Sequence, residues 1–114
     1  MKNRYENFPN HLLIEYIDLN KIGFNELAWR APKILDVIEY LYNNNYYILG
    51  GDVYTINKNK IEFSYCGWHT NSGDSRIDSK IKALNYIKKL IKIDNNFYFS
   101  PTFVAAQDLE NINP

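Results

Sequence analysis

Apolar residues recur most regularly between Pro32 and Asn43, where Ile34, Leu35, Ile38, Leu41 and Tyr42 share one helical face and Lys33, Asp36, Glu39 and Asn43 fall opposite. Such a stripe predicts an amphipathic helix, opened by a first-turn proline and ended by the asparagines at 43–45, which tolerate a left-handed cap. A second stripe, Ile77, Ile81, Leu84, Ile87 and Ile91, predicts another helix. Lys82, Asn85, Lys89 and Lys92 would then face water, with Asp74 or Ser75 as the cap. Between the stripes the period drops to two. "YYILGGDVYTI" (46–56), a turn at "NKNK" and "IEFSYCGWHT" (61–70) read as a hairpin, because Ile61, Phe63 and Tyr65 alternate with Glu62, Ser64 and Cys66. "FYFSPTFV" (97–104) reads as a last strand, and its Pro101 argues for a sheet edge or a bulge.

The N-terminal third is less regular. Leu12, Leu13, Tyr16 and Ile17 suit a short helix capped by Asn10, the preferred reading, whereas Leu12, Ile14 and Tyr16 suit a strand. "IGFNELAWRA" (22–31) reads as a turn with one helical turn, and the tail "AAQDLENINP" as loosely attached. The class is therefore α+β: a small, mainly antiparallel sheet, made of the hairpin and the C-terminal strand, with two main helices on one face. If residues 12–19 formed a strand, the order would become βαββαβ, a ferredoxin-like split unit.

One interruption stands out. Gly50, Gly51 and Asp52 sit inside an otherwise apolar β run, where glycine packs nothing and marks a bulge or a close backbone approach. A bulge there would re-aim Asp52, its carboxylate held by local backbone N–H groups or shown to a partner. A phosphate cradle requires a following helix N-terminus, and here "VYTI" continues as a strand.

At 114 residues, with 46% hydrophobic and 23% charged residues, the chain reads as a single globular domain over 1–114. Its formal net charge of zero supplies no general field for nucleic acid or an anionic membrane. The lone cysteine, Cys66, forms no internal disulfide, and no stretch has the length of a membrane span or the pattern of a signal peptide. A cytoplasmic protein without a cofactor is the expectation.

Candidate chemistry is thin. Asp52, His69 and Asp74 would make a small hydrolase-like acid–base set if the fold brought them together. Cys66 and His69 make half of a zinc motif with no second half. Cys66 has no visible activating neighbour, so a small strand hydrophobe is its simpler reading. The lysines of the second helix offer a nucleic-acid surface, against which the neutral net charge weighs. More telling is the aromatic load, 16% of the chain with ten tyrosines, which suits a protein-binding sheet.

"GFNELAWRA", then "ILGGDVY", then the tryptophan of "YCGWHT" and the helix "SKIKALNYIKKL" together resemble the family-40 immunity proteins of bacterial polymorphic toxin systems. The resemblance covers about Ile22 to Phe103, and its sharpest element is Leu49-Gly50-Gly51-Asp52-Val53-Tyr54. It implies a small cytosolic inhibitor of a toxin domain encoded by a neighbouring gene, with no catalytic residue and no cofactor. Toxin contact is then expected on the hairpin side, through Asp52, Tyr54, Glu62, Trp68 and Asp74, with no nucleic-acid or membrane partner.

Overall fold

The structure is a computed structural model that describes residues 4–108, apart from the side chain of Tyr65. The orientation expected for that side chain, and the tail beyond Asp108, lie outside the described residues. Among the described residues, the strands are β1 (Tyr16–Asp18), β2 (Leu27–Arg30), β3 (Tyr46–Asn57), β4 (Lys60–His69) and β5 (Tyr98–Ala105). The long helices are α1 (Lys33–Asn43) and α2 (Arg76–Ile93). The strands form one antiparallel sheet in the order β1-β2-β5-β3-β4. The α+β class, with its antiparallel sheet and helices packed on one face, is as expected.

From β2 onward the element order is βαββαβ. The sheet order β2-β5-β3-β4 nevertheless differs from a ferredoxin-like one, because β3, not β4, is the inner strand of the hairpin. Helix α1 joins β2 to β3 across β5, and α2 joins β4 to β5 across β3, so two split βαβ units interlock.

Several local expectations are corrected. The segment preferred as a helix holds a 3₁₀ turn at Asn10–Leu12 and then β1. The turn is fixed by tertiary contact, since the Trp29 indole N–H donates to the Leu12 carbonyl at 2.7 Å. "LAWR" is not a helical turn but strand β2, whose Ala28 and Trp29 are both buried because its two faces feed two different cores. Pro32 stands at the N-cap of α1, one residue earlier than expected. Of the two expectations for Pro101, an edge or a bulge, the second fits, since it lies in a central strand beside an irregular ladder. It is accommodated there because the β2 ladder reaches only Phe99 and the β3 ladder is bulged close by, between Ile48 and Gly50.

Helix α2 is rotated from its expected phase. Ser79, Ala83 and Ile87 are its buried line, while Ile77 and Ile81 are exposed. Small residues win the inner face because they let the helix approach closely, a constraint that hydrophobicity alone does not reveal. Lys82, expected in water, is half-buried in an ion pair with Asp74 at 2.7 Å. Ser75 caps α2 in a capping box with Asp78, worth about 1 kcal/mol.

The main core lies between helices and sheet. Ile34, Val37, Ile38 and Leu41 of α1 meet Trp29, Ile48, Val53, Phe99 and Phe103, with Tyr5, Phe8 and Leu12 closing one end. A second, smaller cluster of Leu19, Ala28 and Tyr54 lies on the opposite face. Ile17 of β1 and Ile61 of β4 both pack on it, although they belong to the two edge strands. Such contact requires a strongly curled sheet, concave away from the helices.

Candidate functional site

The two glycines of β3 have separate tasks. Gly50 has φ +155°, and a Cβ there would lie 2.4 Å from the Trp68 carbonyl oxygen and 3.0 Å from the His69 Cα. Only glycine admits this backbone at this separation. The bulge sits just before it, between Ile48 and Gly50 on the β5 side, one step earlier than a Gly50–Gly51 bulge. Gly51 instead serves as the floor beneath an indole: its Cβ would fall 2.2 Å from Cη2 of Trp68. Gly67 completes the set, since a Cβ there would meet the Gly51 carbonyl oxygen at 2.7 Å. The ring of Trp68 therefore lies flat on β3, with Tyr86 of α2 above it at 5.4 Å between centroids. Its indole N–H is buried and finds no acceptor among the described residues.

Asp52 follows on the other face. It pairs with Gly67 on one side and Ser100 on the other, so its carboxyl stands on the concave face beside Tyr54. Sequence reasoning missed its neighbour, Glu26, whose Oε2 accepts the Ser100 hydroxyl at 2.9 Å. Burial and then the Glu26 charge raise the Asp52 carboxyl above its ordinary value. Burial, then Asp52 and Glu26, push the Tyr54 hydroxyl up to about 12. No backbone N–H holds the Asp52 carboxylate among the described residues, contrary to the organiser role expected of it.

The remaining predicted residues are dispersed. Tyr54 is 2% exposed, with its ring edge-on to the half-exposed Phe63 at 5.4 Å. Glu62 is exposed on the edge strand β4, opposite Thr55. Trp68 is 8% exposed and belongs to the helix side of the sheet. Asp74 sits before α2, where Oδ2 accepts from the Asn71 N–H at 2.8 Å and from Lys82 at 2.7 Å. Those bonds, the Lys82 one foremost, hold its carboxyl below the ordinary range. The Tyr47 hydroxyl donates to the Asp74 carbonyl and ties the same loop to β3.

For acid–base chemistry the arrangement is incomplete. Asp52 and His69 border one shallow hollow with Gly67 and Cys66, but Asp74 does not line it. Among the described residues no three metal-ligating side chains converge. Beyond the acids, the concave face opens into a groove of about 640 Å³ between β1 and the tip of the β3–β4 hairpin, lined by Tyr16, Asp18, Lys21, Ile56 and Ile61. No described helix is long and apolar enough to cross a membrane.

The family model of immunity protein 40 matches residues 18–103, from the end of β1 into β5. No curated protein and no solved structure matches the chain.

Proposed function

The chain belongs to the immunity protein 40 family, and from that premise we propose that it neutralises a cognate bacterial toxin domain by stoichiometric binding. The toxin would be the product of a neighbouring gene in a polymorphic toxin system, met in the cytoplasm of the producing cell. The observation that carries this reading is the division of the sheet. Helices α1 and α2 pack on one face, while the other presents acids and aromatics around the "GGDVY" segment. In this reading Asp52 supplies charge to the interface, while Glu62, in register with Thr55 and so on the helix side of the edge strand, can reach the partner only around that edge. Tyr54 and Trp68, both largely buried, shape the surface from beneath, and Asp74 holds the loop at its border. Binding alone suffices for protection, so no catalytic residue, cofactor, nucleic acid or membrane is required.

Co-expression with the toxin domain tests it. The expected result is rescue of growth together with a 1:1 complex by size-exclusion chromatography and light scattering. Rescue without complex formation, or at strongly substoichiometric levels, would overturn inhibition by binding in favour of an enzymatic mode.

A further inference from the structure

We propose that Glu26 and Asp52 form a receptor for one cationic side chain, arginine or lysine, of the partner bound on the concave face. The proposal rests on the binding function above and names the chemistry of its contact.

The two carboxylates converge from different strands. Asp52 on β3 is in register with Ser100 on β5, and Glu26, just before β2, reaches the Ser100 hydroxyl from the other side. One serine therefore separates them, on a face where Asp52 is half-buried. Burial first, and then the Glu26 charge, raise the Asp52 carboxyl above its ordinary value. Buried carboxylates are ordinarily paired. Here no lysine or arginine nitrogen comes within 4.0 Å of either one among the described residues, whereas Glu39 and Asp74 are paired with Lys80 and Lys82. Arg30, on the same face, is turned to the Tyr98 ring and to Asn96.

A second observation points the same way. Tyr54 is 98% buried by its 2% exposure, yet its hydroxyl makes no hydrogen bond among the described residues, while both acids act on it electrostatically. The face thus holds two carboxyls with no cation beside them among the described residues, and the Tyr54 hydroxyl on which both act. Gly67, opposite Asp52, carries no side chain beside its carboxyl, where a Cβ would stand 3.5 Å from Oδ1, and both residues border the shallow hollow. A guanidinium or ammonium group meets these needs at once, since it brings donors for both carboxylates and the Tyr54 oxygen. A metal ion fits less well, because no third ligating side chain joins the pair among the described residues.

The test uses Glu26→Gln, Asp52→Asn and the double variant against the co-purified toxin domain, with affinity measured by calorimetry and folding by thermal melting. Each neutralisation is expected to weaken binding at least tenfold while the melting temperature holds or rises, because a repulsive pair has been relieved. An alanine scan of the toxin's lysines and arginines is expected to find one residue whose loss is not additive with the double variant. In parallel, N-acetyl-arginine amide titrated into the free protein should shift the amide resonances of Asp52, Gly67 and Ser100 in the wild type only. If wild-type protein binds the toxin but neither neutralisation weakens it, the cation receptor is wrong and the inhibitor reading stands. If wild-type protein does not bind the toxin at all, both fall.

Discussion

The two faces of the sheet follow opposite rules. On the helix side, Trp29, Ile34, Leu41, Ile48, Val53 and Phe99 are fully or almost fully buried, and Trp29 meets the rings of Tyr5 and Phe8 at 5.9 and 6.1 Å between centroids. On the concave side a small apolar cluster lies beside Glu26, Asp52 and Ser100. The first face resembles any stable core, in which deleting a side chain leaves a cavity. The second retains charges that oppose one another, so its side chains can change without loss of the fold. In the proposed reading, stability and recognition fall on different sides of one set of strands, and the glycines of β3 and β4 are where those sides meet.

The largest expected effect comes from that meeting point. Gly50→Val would place a branched side chain against the Trp68 carbonyl at a φ that suits only glycine. Neither backbone can retreat, so a loss of about 4 kcal/mol or more is expected, enough to unfold the protein at 37 °C. Circular dichroism melting checks it; a wild-type melting temperature would break the account of the bulge. Trp68→Ala follows, at about 3 kcal/mol, because it empties the space above Gly51. Trp68→Phe should cost no more than about 1 kcal/mol, since it also removes a buried N–H that lacks an acceptor. Equal losses in the two variants would show that the indole N–H is satisfied.

How much of this was legible beforehand differs between the faces as well. Helix α1 and the hairpin are written in local periodicity, and Gly50, Gly51 and Asp52 announce an irregularity by breaking it. What those residues meet is not local. Trp68 and Gly67 are opposed to Gly51 and Asp52 by a register that slips between Asp52 and Tyr54, where β4 carries extra residues. Strand β2 was missed because buried side chains on both faces erase alternation. The phase of α2 was missed because Ser79 and Ala83 are chosen for closeness, not hydrophobicity. Glu26 was missed because nothing in "FNELAW" shows that the chain will fold it over Ser100.

Smaller effects sharpen the comparison by pH. The Asp52 carboxyl lies above its ordinary value of 3.8, so between that value and its raised one the folded state keeps a proton that the unfolded state has lost. Its contribution therefore weakens the fold as pH rises through that window, and Asp52→Asn should abolish this part of the slope. Near neutral pH the variant should be as stable as wild type or more so, by up to about 1 kcal/mol. Asp74 works in the opposite direction. Its lowered carboxyl stabilises above 3.8 and loses that effect as pH falls further, so Asp74→Asn should remove stability at neutral pH and little in acid. Urea titrations from pH 3 to 7 separate the two; a loss of stability in Asp52→Asn at neutral pH would mean that the carboxylate is held after all.

The smallest effect is expected at the rim, for His69→Ala and Cys66→Ser. Both residues are exposed on β4, the edge strand, and both border the hollow beside Asp52. If that hollow were a catalytic centre, they would be its base and nucleophile, and protection against the toxin would collapse in either variant while the fold survived. If it is only the margin of a binding face, each change should stay within about 0.5 kcal/mol in stability. Toxin affinity should then shift less than threefold. The neighbouring Asp52→Asn provides the scale, because it lies in the same hollow and is expected to weaken binding at least tenfold. Measuring all three against one toxin preparation therefore distinguishes a reaction centre, in which the histidine and thiol matter most, from a charged contact, in which only the carboxylate does.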